Sequence, residues 1–378
     1  MTERGMSLRG LARAASYDPS HLSKVLNGRK PYTPHLAARL DDALDADGKI
    51  RQAAATFNGS LTPDQRDRLD WTAHHPGRPD EQAVDALAGV LAAQRLLEDR
   101  VGSAPMLIAV AGQTAAAEAI AADAPAPVRS QLLDLAAQYG SFHGWLHENT
   151  GHLGQAVKVY DRALGQAAEA GDVDLISELL SMKGHVAWAR GDPPEVVRLS
   201  QAAQRDPAAH PGQHAISAMQ EARALAVLGD AVAVDRKLID ADRAEDQARE
   251  HADDRPPWLY YHSPGFFDVQ RGRAWLHLGV HDPARNRRAV DALAAGIAQL
   301  DETARGSEWG ASYLLYLARA HMQAGDAEQA CAVAMDAAAY ARRLSSASLL
   351  AAVRRLHHQL AQRWPGYPGV EALGEAIR

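Results

Sequence analysis

The sequence predicts an all-α protein, with a small three-helix unit at the N-terminus followed by a long array of helical hairpins. Three observations carry this. The apolar residues are mostly Ala and Leu, and the alternating runs of Val, Ile, Thr or aromatics that mark strands are missing. Ala, Leu, Arg, Glu and Gln, which fill the chain, are good helix formers. Capping residues and Gly or Pro breaks recur along its whole length at helical spacing.

With 378 residues, 47% of them hydrophobic, the chain has enough apolar material for two or more units. The punctuation places a first domain over residues 1–50, a connector over 51–82 and a repeat domain over 83–378. Cys331 is the single cysteine, so no internal disulfide and no cysteine-based zinc site is expected, which fits a reducing cytoplasm. It lies in an Ala-rich helical stretch and reads as a small buried hydrophobe. No run of about 18 apolar residues is apparent, so no membrane span is expected. The charge is uneven: residues 1–40 carry +5 and the remainder −12, within a total of −7. A basic head on an acidic body suits a nucleic-acid reader joined to a domain that stays off nucleic acid.

In the head, Ser7 caps a short helix whose apolar face is Leu8, Leu11, Ala12 and Ala15. After a break at Ser16-Tyr17, Asp18 caps a second helix with Pro19 at its first position, where a missing N–H does no harm. Leu22, Val25 and Leu26 face inward, and Gly28 stops the helix. A third helix starts at Thr33-Pro34, with Leu36, Leu40, Ala43 and Leu44 as its buried stripe.

Two short helices around a tight turn with a third behind them describe a helix-turn-helix. Leu11-Ala12, the inward Leu22 and Asn27-Gly28-Arg29 make this segment resemble the phage-repressor-like family, the Cro/C1 or XRE type. The resemblance implies that the second helix lies in the major groove of double-stranded DNA. Pro19, Ser20, Ser23 and Lys24 would then face the bases, while Asn27, Arg29 and Lys30 grip phosphates. Three departures stand out. Ser16 occupies the turn position usually held by Gly, at a cost of about 1 kcal/mol if its backbone is left-handed. Leu8 replaces a polar residue and Leu26 an acid. Members of that family carry a further helix before the motif, where this sequence has only Met1 to Met6, so a start further upstream or a lost helix is expected.

The body carries a repeat. Gly-Asp or Gly-His ends a helix at Gly151, Gly191, Gly229 and Gly325, with a less regular copy at Gly279. Seven residues before each stand Gly144, Gly184, Ala222, Ala318 and Gly272; five after come Ala156, Val196, Val234, Ala330 and Ala284. Small residues at those offsets are what two antiparallel helices need at their closest approach. The spacing resembles a divergent tetratricopeptide repeat, which implies stacked hairpins with a concave binding face, an effector that is a peptide or small molecule, and a homodimer.

Trp258, Tyr260 and Tyr261, with Phe266 and Phe267, form an aromatic cluster in a chain that is 6% aromatic. It either lines an effector pocket or plugs a widened gap between hairpins. His74-His75 and His357-His358 are adjacent pairs, about 100° apart on a helix, so neither is a chelating i, i+4 site, and no metal is expected. Asp41-Asp42 and Asp253-Asp254 read as solvated helix ends. No phosphate-binding loop, nucleophile elbow or other catalytic constellation is present, so neither an enzyme nor a cofactor is expected. The function that emerges is a DNA-binding transcription regulator with a helical sensor. The alternative is an interaction scaffold that has lost DNA binding.

Overall fold

The computed structural model of the chain describes residues 7–26, 34–51, 67, 69, 71, 72, 75 and 79–378. Among these the fold is all-α, with no strand. The predicted Asn27, Arg29 and Lys30, and most of the predicted connector, lie outside the described residues. The chain divides by packing into two units, residues 1–175 and 176–378, a division that cuts the repeat array after its first hairpin.

The head forms α1 (Leu8–Ala14), α2 (Pro19–Leu26) and α3 (Pro34–Leu44). Both predicted caps are in place: Ser7 Oγ accepts from the Gly10 amide at 3.1 Å, and Asp18 Oδ1 accepts from the His21 amide at 2.8 Å. Such caps stabilise a helix start by about 1 kcal/mol each. Leu11, Ala12, Ala15, Leu22, Val25, Leu36, Ala37, Leu40 and Ile50 form the buried core, while Leu8, Ala43 and Leu44 pack at its edge.

Two long helices follow, α4 (Glu81–Val101) and α5 (Ser103–Asp123). Contrary to the hydropathy expectation, α5 is long and apolar enough to cross a membrane, with a mean hydropathy of 1.3 over its best window. The many alanines account for this, because they raise hydropathy without forming an obvious run of large apolar residues. Here α5 is a packing helix: Met106, Val110, Ala117, Ile120 and Ala121 are buried in the core of the first unit.

The array begins with α6 (Ala126–Asn149) and α7 (Leu153–Ala170), joined at Gly151. Next come α8 (Val173–Ala189) and α9 (Pro193–Ala203), joined at Gly191, then α10 (Pro211–Val227) and α11 (Ala231–Glu250), joined at Gly229. After two short 3₁₀ turns stand α12 (Pro264–Leu278) and α13 (Pro283–Gln299). The short α14 (Glu302–Gly306) leads into α15 (Glu308–Ala324) and α16 (Ala327–Arg343), joined at Gly325. Then α17 (Ala347–Arg363) and α18 (Pro368–Ala376) close the chain.

The glycines fix the hairpin register. A Cβ at Gly144 would lie 2.2 Å from the Tyr160 ring, and one at Gly140 would lie 2.7 Å from Ala163 Cβ. As the chain runs back along α6 its partners run forward along α7, so the two are antiparallel and Gly144 meets Tyr160 rather than Ala156. Gly272 against Leu293 and Gly279 against Asn286 give the same result for α12 and α13.

Gly151, Gly191, Gly229 and Gly325 have φ between +74° and +84°, as the helix-stop reading requires. Gly279 does not, at φ −66°. The expected burial of Ala284 is likewise wrong: Ala284 is exposed, and Asn286 and Ala289 are buried instead. The cause is the cap. Asp192, Asp230 and Asp326 directly follow their glycines and cap the next helix, whereas Asp282 comes three residues after Gly279. Counted from the cap, Val196, Val234, Asn286 and Ala330 are equivalent, and all are buried.

Candidate functional site

The outer side of α2 is the surface on which the sequence places base contacts. Leu22 and Val25 are buried on its inner side, Pro19 and Ser20 are exposed, and Ser23 is half-buried. The Lys24 side chain lies outside the described part of the chain. Arg9 and Arg13, on α1, are exposed as well. Of the head's cations, Arg39 acts structurally, because its Nε donates to the Ala15 carbonyl at 3.0 Å and ties α3 to the turn between α1 and α2. That turn carries the expected strain, since Ser16 has φ +56°. The Tyr17 amide reaches back to the Ala12 carbonyl at 2.8 Å, closing the helix end. Tyr17 Oη and His35 Nδ1 are hydrogen-bonded at 2.8 Å across to α3.

Asp41 corrects the reading of Asp41-Asp42 as a solvated end. It is 3% exposed, and its carboxylate accepts from the Gly48 and Ile50 amides, both at 2.8 Å. The chain after α3 folds back onto it, which seats Ile50 in the head's core. Asp42 stays exposed and pairs with Arg51.

Sequence reasoning also missed what α5 does. Ile108 packs against the head's core, and a Cβ at Gly112 would lie 2.9 Å from the Val25 carbonyl oxygen. The backbone of α2, the helix expected to read DNA, therefore rests directly on a helix of the body, an approach only glycine leaves open.

The aromatic cluster packs. Trp258, Phe266 and Phe267 are 4–6% exposed, and both Phe rings lie in the core of the second unit. Tyr261 meets the ring of Phe266 at 5.1 Å and Trp309 at 6.1 Å, joining α12 to α15. Tyr260 and Tyr261 are half-buried. The geometry supports the plug between hairpins, because the three most buried rings offer no face to a ligand.

The array also holds an i, i+4 histidine pair, distinct from the adjacent pairs that stand out in the sequence. His143 and His147 on α6 have ring centroids 4.7 Å apart. Burial first, and neighbouring positive charge second, depress His143 to about 3 and His147 to about 4. Among the described residues no group of three or more His, Cys, Asp or Glu is arranged to hold a metal ion. Cys331 is buried, and burial raises its thiol.

No curated protein matches the chain. Residues 1–54 match a protein-family model described as a helix-turn-helix domain, so the chain carries a helix-turn-helix domain at its N-terminus.

Proposed function

We propose that this protein is a sequence-specific, DNA-binding transcription regulator of the cytoplasm, with a head of the Cro/C1 type and a tetratricopeptide-like array that binds an effector, dimerises, or does both. The observation that carries the reading is the match of residues 1–54 to a helix-turn-helix domain, together with the capped second helix that leaves Pro19 and Ser20 exposed. The array's contribution is supported by its antiparallel hairpins and left-handed glycine turns. The reading assigns the protein no catalytic role.

Titrations of the full chain against a selected operator and a scrambled duplex, each at two salt concentrations, test it. Lys24→Ala, removing a base contact, should weaken the operator more than scrambled DNA. Arg29→Ala should weaken both alike and lower the salt slope by about one phosphate contact. A chain that ignores both duplexes even at low salt would be the interaction scaffold instead.

A further inference from the structure

Counting back six residues from Gly229, Gly279 and Gly325, which follow the first helices of three successive hairpins, gives Arg223, Arg273 and Arg319. These arginines differ from those on the outer faces of the same unit. Arg198 pairs with Glu195, Arg271 with Asp242, Glu245 and Asp268, and Arg285 with Asp235. None of Arg223, Arg273 and Arg319 has a carboxylate within 4 Å among the described residues, and the Nε of each is buried without a hydrogen-bond acceptor. The acid nearest Arg223 in sequence, Glu221, is turned away and occupied by Gln201, Gln204 and Lys237.

The three gather around one pair of rings, Trp188 and His277. Arg223, 3% exposed, stacks its guanidinium 4.0 Å from the Trp188 ring centroid. His277 meets the same Trp188 ring at 5.2 Å, so side chains of α8 and α12 touch although the α10 hairpin stands between them. Arg273 crosses to the next hairpin, donating to Tyr316 Oη at 3.1 Å with its guanidinium over that ring. The local field is positive. Burial, followed by Arg273, depresses His185 to about 4, and burial, followed by Arg273 and Arg319, does the same to His277.

Leaving a guanidinium buried without a counter-charge is costly, by several kcal/mol for a fully desolvated ion. Aromatic faces offset only a part, about 2 kcal/mol at best. Arg223 is buried and bears most of this cost; Arg273 and Arg319 are half-buried, and Arg273 donates only to the neutral Gln270 and Tyr316. Three cations without a counter-charge, in a body of net negative charge, form a binding surface for negative charge. We infer that Arg223, Arg273 and Arg319 form a ladder that binds a small-molecule anion carrying at least two phosphate or carboxylate groups. Three unpaired cations call for more than one negative charge, which a molecule with at least two phosphate or carboxylate groups supplies. The ladder gives the proposed effector a chemical class, and only its regulatory meaning rests on the proposed function.

The test uses the full chain without DNA. Melting temperature and isothermal titration are followed with tripolyphosphate and with citrate, each against sodium chloride at matched ionic strength. At least one polyanion should raise the melting temperature and bind saturably, and the two arms separate phosphate from carboxylate. Arg273→Gln and Arg319→Gln should each weaken binding at least tenfold, whereas Arg285→Gln on the outer face should leave it unchanged. The His277 ring, followed by NMR, should titrate higher when the anion is bound. The ladder is wrong if neither polyanion binds above the salt control, if Arg273→Gln and Arg319→Gln bind like the parent, or if duplex DNA displaces the anion competitively. A polyanion that binds as expected yet leaves operator affinity unchanged would overturn the effector reading and keep the site.

Discussion

Head and array solve the same problem, ending one helix and starting the next, with different means. Within the array's hairpins the left-handed residue is glycine at Gly151, Gly191, Gly229 and Gly325, while Ser345 takes that conformation between α16 and α17; in the head it is Ser16 after α1 and Asp45 after α3, both at positive φ. Array helices run to 17–24 residues in four of the five hairpins' first members and bury long stripes, whereas α1 and α2 have 7 and 8. The head's core is a handful of side chains, completed by Ile108 and by the close approach at Gly112. A body that stacks like on like can devote its small residues to tight packing. A head that must present one helix outward depends on caps, a tied turn and a neighbour.

The widest gap between the two should appear on overpacking the array. Gly144→Leu places a branched side chain where even a Cβ lies 2.2 Å from the Tyr160 ring. We expect a loss of about 3 kcal/mol, measured as a lower urea midpoint for the first unit. An unchanged midpoint would mean that α6 and α7 are not in this register.

The second effect is acid sensitivity in the same hairpin. His143 titrates near 3 in the fold, chiefly because burial disfavours its charged form, against about 6.5 in the unfolded chain. The unfolded state therefore binds more protons between those values. The contribution of neutral His143 is whole above pH 6.5 and is lost as pH falls toward 3, by up to about 1.4 kcal/mol per pH unit. Glu148, raised to about 8 mainly by burial, acts in the opposite sense: acidification restores its favoured neutral form. Comparing His143→Leu with the parent from pH 7 to 4 isolates the histidine. The variant should lose less stability on acidification, and parallel curves would contradict the buried neutral ring.

Third comes the joint between the regions. Gly112→Leu should push α2 off α5 and destabilise the head by about 2 kcal/mol while the hairpins keep their midpoint. Amide exchange resolves the two: faster exchange at Leu22 and Val25 with unchanged rates in α6 is the expected pattern. Equal loss in both would mean that head and body unfold together.

What the sequence disclosed follows the same division. Signals written in neighbouring residues were legible: the Ser7 and Asp18 caps, the strained Ser16, the inward Leu11, Leu22 and Leu40, and the four glycine turns. Features that depend on chain folding back were not. Asp41 beside Asp42 looks like surface until the Gly48 and Ile50 amides return to it. Gly279 looks like another turn until the cap at Asp282 resets the helix by two residues. Gly112 sits in an Ala-rich helix with no mark that Val25 lies across from it. On the candidate interface, the side of α2 bearing Pro19 and Ser20 was readable from the spacing of Leu22 and Val25. The pairing state of Arg223, Arg273 and Arg319 was not, although their shared offset from the glycines stood in the sequence, because pairing depends on acids from other helices.

The smallest effect separates the two kinds of turn directly. At Ser16 and at Gly191 the chain makes the same closure: the residue after each donates back to the helix, Tyr17 to the Ala12 carbonyl at 2.8 Å and Asp192 to the Ala187 carbonyl at 3.0 Å. Only the Cβ differs. A left-handed serine is disfavoured relative to glycine by about 1 kcal/mol, and glycine returns a part of that through its freer unfolded chain. Ser16→Gly should therefore slow amide exchange in the head by a factor of about 3, equivalent to about 0.6 kcal/mol, without touching the array. Gly191→Ser should speed exchange in α8 and α9 by a similar factor, since nothing lies within 4 Å of a Cβ there and backbone strain is the whole cost. If Ser16→Gly instead loosened the head, the Ser16 side chain would be contributing more than its backbone conformation forfeits.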